Sequence, residues 1–161
     1  MSRLQVRSPQ TPEDQTWLAR LWREEWGGET MVSRGHIYHL EALTPLIAWD
    51  GPHRVGLATF YIAGDACEIM SLNATASGKG VGSTLLAAVE ETARQAACQR
   101  VWLITSNDNV DALRFYQRRG YRLTAIHLNA IDQARKLKPT IPQVGNHGIP
   151  LHDEWELTKL L

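Results

Sequence analysis

The stretch of sequence most able to do chemistry is SGKGVGSTLLAAVEETA, residues 77–93, in which three glycines within five residues precede an apolar-periodic segment. Gly78, Gly80 and Gly82 carry no Cβ atom, so a ligand can come close to the backbone N–H groups of the loop. A helix that begins at this loop adds the positive end of its dipole. The spacing predicts a phosphate-binding loop at a helix N-terminus, and the alternative is a flexible turn into a helix.

Two nucleotide motifs can be tested against this loop by counting residues. The Walker motif needs a glycine, four residues and Gly-Lys followed by Ser or Thr, but Gly80 follows Gly78-Lys79 and residue 73 is Asn. The dinucleotide fingerprint needs its third glycine at position 83, which is Ser83, and a place after the first strand. Both motifs fail. The residues predict a backbone cradle over 78–83, with the charge of Lys79 at its rim, for a phosphate-bearing ligand that need not be ATP or NAD.

Hydrophobic periodicity places the loop within a series of strands and helices. Residues 3–7 alternate as a strand, and a helix follows with Thr11 as N-cap and Pro12 in its first turn. Turn residues at 50–52 and 64–65 divide the next apolar region into strands near 45–49, 54–62 and 66–73, which form an antiparallel meander. Residues 27–43, between the first helix and these strands, are predicted to be irregular.

The second half alternates helices with strands. The helix after the glycine loop leads to a strand at residues 100–105, predicted to be parallel to strand 66–73. Asn109 is an N-cap and Gly120 a C-terminal stop for the next helix. A strand at 121–128, one or two helical turns, a Pro/Gly-rich loop and a final strand complete the chain. The order predicts a single α/β domain spanning residues 1–161.

Composition excludes several classes of function. Seventeen basic and seventeen acidic residues give no net charge, so neither nucleic acid nor a membrane surface is an expected partner. No signal peptide or transmembrane run is recognisable, and we expect a cytoplasmic protein. Cys67, Cys98 and the six histidines lack the spacing of a disulfide framework or a metal site, so no metal is expected.

Two segments resemble motifs of the GNAT superfamily, the acetyl-CoA-dependent N-acetyltransferases. SLNATASGKGVGSTLL resembles motif A, in which a strand runs into an Arg/Gln-x-x-Gly-x-Gly/Ala loop and then a helix. TSNDNVDALRFYQRRGYRL resembles motif B, whose Asn-x-x-Ala-x-x-Phe-Tyr core is matched by Asn109, Ala112, Phe115 and Tyr116. The resemblance covers about residues 45–127. One departure is Ser77, which stands where the family most often has Arg or Gln and removes a side chain that braces the loop.

The resemblance implies a fold and a donor. The fold is a GNAT-type mixed, mostly antiparallel central sheet of six to seven strands flanked by helices, with a V-shaped splay between the fourth and fifth strands, residues 66–73 and 100–105. The donor is acetyl-CoA, whose pantetheine would insert between these strands, with no metal. The residues implied to bind it are Ser71, Leu72, Asn73, Ala74, Gly78, Lys79, Gly80, Val81, Gly82, Ser83, Asn109, Ala112 and Tyr116.

The resemblance also implies two catalytic residues. Tyr116 would direct its hydroxyl at the CoA sulfur and protonate the leaving thiolate, and its alternative is a packing aromatic. Glu68, four residues before Leu72, would act as general base through water, because an amine must be neutral before it attacks a thioester. The alternative for Glu68 is a structurally paired carboxylate. A backbone N–H at Leu72 or Asn73 would face the developing oxyanion.

The implied acceptor is the primary amine of a small molecule or peptide, attacked directly in a ternary complex. By position in the fold, the acceptor region includes the loop after His127, residues 128–153, as a lid or as a contact in a possible homodimer, together with Trp22, Trp26, His36, Tyr38 and His39. The alternatives are a non-catalytic CoA-binding sensor or interaction module, and a phosphate-binding enzyme of another kind such as a small-molecule kinase.

Overall fold

A seven-stranded sheet with helices on both faces organises the chain in a computed structural model, which describes residues 3–75 and 78–161. In chain order the elements are β1 (Leu4–Arg7), α1 (Pro12–Trp26), β2 (Thr30–Ser33), β3 (His36–His39), β4 (Thr44–Asp50), β5 (His53–Ala63), β6 (Ala66–Ala74), α2 (Val81–Gln95), β7 (Arg100–Ser106), α3 (Val110–Gln117), β8 (Arg122–His127), α4 (Ala130–Leu137) and β9 (Glu154–Leu160). The strand order is β1-β4-β5-β6-β7-β9-β8. The β6–β7 pair is parallel and the other neighbours in this sheet are antiparallel, which confirms the predicted fold.

Helix α1 covers one face of the sheet. Its start is fixed by a capping box between Thr11 and Asp14, and it ends at Gly27 with φ 72°. Leu18, Leu21 and Trp22 are buried on its inner side against a core that includes β4, β5 and β6. The apolar stripe read from the sequence is therefore the packing face of this helix.

Helix α2 covers the opposite face, and its position depends on a glycine in β5. A Cβ atom added to Gly56 would lie 2.6 Å from Val81 Cγ1 and 2.9 Å from the Asn73 carbonyl oxygen. Only glycine leaves room for the first turn of α2 to rest directly on β5. The glycine loop that precedes α2 is thereby held at the end of β6.

A bulge interrupts β6 at its middle. Thr59 pairs with Ser71 and Phe60 pairs with Ile69, so Met70 is the extra residue. As a result Met70 packs in the α1 core while the neighbouring Ser71 also faces α1, where its Oγ accepts a hydrogen bond from Trp22 Nε1 at 3.0 Å.

Strands β6 and β7 part beyond the bulge. Their parallel pairing runs only from Ala66 with Arg100 to Ile69 with Leu103, and β7 continues paired with β9 alone. Among the residues that the structure describes, the edge of residues 70–74 that faces β7 has no strand partner. This is the predicted V-shaped splay.

The segment predicted to be irregular contains a hairpin. Strands β2 and β3 pair from Thr30 with His39 to Ser33 with His36, as a separate two-stranded sheet. Each strand has four residues without clear apolar alternation, so the sequence pattern contains no strand signal.

Between β8 and β9, α4 confirms the predicted helical turns. Throughout the described ranges, every helix is too short or too polar to cross a bilayer.

Candidate active site

Two cavities meet where β6 and β7 part. The first, which we call the splay cavity, has a volume of about 380 Å³ and lies between the carboxyl half of β6, the end of β7, α3 and Gly82 of α2. The second, which we call the side cavity, has a volume of about 360 Å³ and lies beneath α4 and the segment that follows it. Both are lined by Trp26, Met70, Ile104, Thr105 and Asn109.

The β6 wall of the splay cavity offers unpaired polar groups. Ser71, Leu72, Asn73 and Ala74 line it along the strand edge that lacks a partner. The Oδ1 atom of Asn73 is buried and has no hydrogen-bond partner among the described residues. Buried polar groups in native proteins are generally satisfied, so these groups fit an extended ligand that carries amides and pairs like an added strand.

The glycine loop enters α2 in a left-handed conformation. Gly78 has φ 78° and Gly80, the N-cap of α2, has φ 71°, values that an L-residue adopts only with strain. Both positions are open toward the described residues, since a Cβ atom at either would meet none of their atoms within 4 Å. The helix N-terminus at Val81 is thus available to an anion. Ser77, the departure noted in the sequence, lies outside the described residues.

Lys79 and Ser83 already have partners within the chain. Lys79 Nζ lies 3.0 Å from Asp50 Oδ2, so its charge is shared with an acid at the end of β4. The Ser83 hydroxyl accepts hydrogen bonds from Arg119 Nε at 3.0 Å and Nη2 at 2.6 Å.

Arg119, which the sequence pattern does not single out, contacts Ser83 at the start of α2. Besides Ser83, its guanidinium donates to the Phe115 carbonyl at 2.8 Å and lies 3.8 Å from the centre of the Phe115 ring. It therefore joins the end of α3 to the first turn of α2 and brings positive charge there. In the sequence it is one of two late bases in a helix, and nothing distinguishes it from Arg118.

The start of α3 is fixed by Asn109. Its Oδ1 accepts from the Ala112 amide at 3.1 Å, and its Nδ2 donates to Thr105 Oγ1 at 3.0 Å. The side-chain oxygen therefore caps α3, and the side-chain nitrogen links α3 to β7. It borders both cavities, and Ala112 borders the splay cavity.

Tyr116 presents a phenol to the splay cavity. The residue is buried and packs edge-on against Phe115 and Tyr121. Its hydroxyl has no hydrogen-bond partner among the described residues, whereas the Tyr121 hydroxyl donates to Glu90 at 2.8 Å. Burial raises the pKa of Tyr116, so it stays a protonated donor at neutral pH.

Glu68 is buried and lines neither cavity. Its carboxylate accepts from Ser33 Oγ at 2.7 Å and from the Tyr38 hydroxyl at 3.5 Å, both on the β2–β3 hairpin. Burial raises the pKa of Glu68, partly opposed by these hydrogen bonds and by the charge of Arg34. The wall residues nearest to it in sequence are Ile69, which lines the splay cavity, and Met70, which lines both cavities.

The residues expected near the acceptor separate into three groups. Trp26 lines both cavities, and residues of the 128–153 segment line the side cavity. Trp22 is fully buried beneath Ser71, and Tyr38 contacts Glu68. His36 and His39 are exposed. Among the described residues, no group of three or more His, Cys, Asp or Glu side chains could hold a metal ion.

Comparison with known proteins places the chain in a family. Residues 13–121 match the acetyltransferase (GNAT) family. The chain belongs to this family and is therefore an acetyl-CoA-dependent N-acetyltransferase by class, as the two motifs indicated.

Two curated relatives match the chain over most of its length. It is 41% identical to the uncharacterised protein YdhI of Bacillus subtilis over 145 residues, 89% of this chain and 91% of the relative. It is 40% identical to the uncharacterised protein YxbD of the same organism, over 94% of this chain and 95% of the relative. A Bacillus subtilis acetyltransferase solved in complex with CoA has the same fold, with TM-score 0.73, 19% identity and coverage of 99% of both chains.

Proposed function

We propose that the protein transfers the acetyl group of acetyl-CoA to a primary amine of a small molecule or peptide, by direct attack in a ternary complex. The observation that carries the proposal is the junction of the splay cavity with the side cavity at Trp26, Met70, Ile104, Thr105 and Asn109. The splay cavity has the features of a site for the acetyl donor. The side cavity gives an amine access to the end of the splay cavity. A binding module for CoA alone has no need for the second cavity.

The donor assignment rests on the walls of the splay cavity. Acetyl-CoA supplies an activated thioester, and its pantetheine amides match the open backbone edge of residues 71–74 and the unpartnered Asn73 Oδ1. The diphosphate matches the loop and helix start formed by Gly78, Lys79, Gly80, Val81, Gly82 and Ser83. Asn109, Ala112 and Tyr116 form the α3 wall of the same site.

The chemistry is assigned to Tyr116 and Glu68. The protonated and unpartnered Tyr116 hydroxyl can donate a proton to the departing thiolate. Glu68, kept at a raised pKa by burial, can accept the proton of the amine through water from behind Met70. A backbone N–H at Leu72 or Asn73, on the open edge of β6, can donate to the developing oxyanion.

Two measurements on the purified protein test this function. Calorimetric titration with acetyl-CoA should show saturable binding. A thiol-release screen against polyamines, amino acids, aminoglycosides, amino sugars and peptides should then find an acetylated amine, identified by mass. Binding without turnover of any amine would favour a CoA-binding sensor, and failure to bind acetyl-CoA would end the proposal.

A further inference from the structure

The side cavity contains a buried carboxylate with little to satisfy it. Glu154, the first residue of β9, lines the cavity and is 2% exposed. The only hydrogen bond that a described residue donates to its carboxylate comes from the Arg34 backbone N–H at 3.5 Å, which is long for such a bond. A buried carboxylate normally has several close donors, because its desolvation is costly. Apart from this long bond, no described residue donates a hydrogen bond to the Glu154 carboxylate.

The groups around Glu154 compensate its negative charge only in part. Burial raises the pKa of Glu154, and the negative charge of Glu68 adds to the rise. The charges of His127 and Arg34 and the bond from the Arg34 amide act in the opposite direction. Arg34 Nη1 is 3.7 Å from Glu156, so its guanidinium is shared with another acid.

The remaining walls of the side cavity are mainly apolar. Trp26, Met31, Met70, Ile104, Ile131 and Leu151 are among the side chains that line it. Besides Glu154, its charged lining residues are Glu25, which is exposed at the end of α1, and Lys138. Lys138 Nζ donates to the carbonyls of Trp26 at 2.6 Å and Thr30 at 2.7 Å, so its charge is held by the backbone.

The segment after α4 closes one side of the cavity. Lys138 ties this segment to the end of α1 and to β2 through the two carbonyls just described. Arg135 holds its further course by donating to the carbonyls of Ile141 at 3.1 Å, Pro142 at 2.9 Å and Leu151 at 3.0 Å. A cavity of about 360 Å³ closed in this way suits a compact molecule better than a polypeptide chain.

We propose that the side cavity binds a small monoamine with an apolar body, and that Glu154 receives its ammonium group. The proposal rests on the function proposed above, since it names the acceptor class of the same site. The single buried carboxylate fits one cationic head, and the apolar walls fit an aryl or branched alkyl body. A second ammonium would find only the exposed Glu25, and a carboxylate only Lys138, whose Nζ is already held by two carbonyls. A sugar would lose water from hydroxyl groups that face mostly apolar walls. The bound ammonium must then lose its proton, for which Glu68 is the assigned acceptor.

The first experiment compares amines with the wild-type protein. 2-Phenylethylamine and isoamylamine should have kcat/KM values at least about tenfold above those of putrescine, glucosamine and a peptide with N-terminal alanine. Equal or better turnover of any of the last three would overturn the acceptor class and leave the acetyltransferase function intact. Should none be acetylated, calorimetry with 2-phenylethylamine in the presence of CoA decides, and lack of saturable binding would overturn the inference.

The second experiment removes the charge of Glu154 without changing its shape. Glu154→Gln should raise the KM or Kd of 2-phenylethylamine about tenfold or more, because a charged hydrogen bond is lost, with the Kd of acetyl-CoA unchanged within about twofold. Glu90→Gln is the matched control, since Glu90 is a buried carboxylate that serves Tyr121 and Lys159 on the other face of the sheet. It should lower the melting temperature and leave amine binding unchanged. Unaltered amine affinity in Glu154→Gln would exclude Glu154 as the ammonium site.

Discussion

At the scale of single residues, the Tyr116 hydroxyl can be removed without leaving a broken contact. It has no hydrogen-bond partner among the described residues, so Tyr116→Phe should fold normally and bind acetyl-CoA with a Kd within about twofold of wild type. Loss of the proton donor should lower kcat by roughly 10²-fold. Tyr121→Phe is the control, because it removes a phenol bonded to Glu90 and should reduce stability with kcat retained. Unchanged kcat in Tyr116→Phe, where chemistry limits the rate, would remove Tyr116 from catalysis.

Glu154 gives a second prediction at this scale, on stability against pH. Because the folded pKa of Glu154 is raised, the folded state binds its proton more tightly than the unfolded state. Wild-type stability from this group is therefore greatest below the ordinary carboxyl pKa and is lost as pH rises through the folded pKa. Glu154→Gln should melt about 2–4 °C above wild type at pH 8, equivalent to roughly 1 kcal/mol, with the gain absent near pH 4. A gain that is independent of pH, or no gain, would contradict a raised pKa of Glu154 in the folded state.

At the scale of elements, the approach of α2 to β5 positions the glycine loop. Gly56→Ala would force a Cβ to within 2.6 Å of Val81 and 2.9 Å of the Asn73 carbonyl, so either α2 or the end of β6 must move. We expect a loss of about 1–3 kcal/mol in the free energy of unfolding and a weaker Kd for acetyl-CoA. Gly28→Ala is the control, since a Cβ there meets no atom of a described residue within 4 Å and φ is not positive. Chemical denaturation and calorimetry measure both effects, and equal stability of the two variants would contradict this packing.

The sequence predicted those elements whose signals are local. Thr11 and Pro12 marked the start of α1, turn residues marked the ends of β4, β5 and β6, and the glycines marked the loop before α2. The β2–β3 hairpin was missed, because its short strands depend on tertiary contacts such as Ser33 and Tyr38 with Glu68. Such contacts have no periodic signature in the chain.

The same distinction holds for the candidate site. The residues assigned to the donor lie in two contiguous motifs, so the sequence alone was enough to identify them as candidates. Arg119 and Glu154 were missed, because each matters through a partner or cavity formed by distant segments: Arg119 through Ser83, and Glu154 through the space beneath α4. Both residues became visible only once the fold had placed them.

At the scale of the whole molecule, the two cavities predict the kinetic order of the reaction. They share five lining residues, so donor and acceptor can be bound together with their reacting ends adjacent. The structure argues against a relay through cysteine, because Cys67 and Cys98 are buried in the core between α2 and the sheet and line neither cavity. Burial also raises the pKa of Cys67 to about 12. Thiolate, the nucleophilic form, is therefore scarce at neutral pH.

Initial rates measured over a grid of acetyl-CoA and amine concentrations should accordingly give intersecting double-reciprocal lines. Incubation with acetyl-CoA alone should leave the intact mass of the protein without a stoichiometric acetyl adduct. The double variant Cys67→Ala and Cys98→Ala should keep its kcat, although the loss of buried side chains should lower its melting temperature. Parallel lines together with a trapped acetyl-protein would instead require two half-reactions, with the donor leaving before the amine enters. In that case the contact between the splay cavity and the side cavity would serve to pass a covalent group, and direct attack would be excluded.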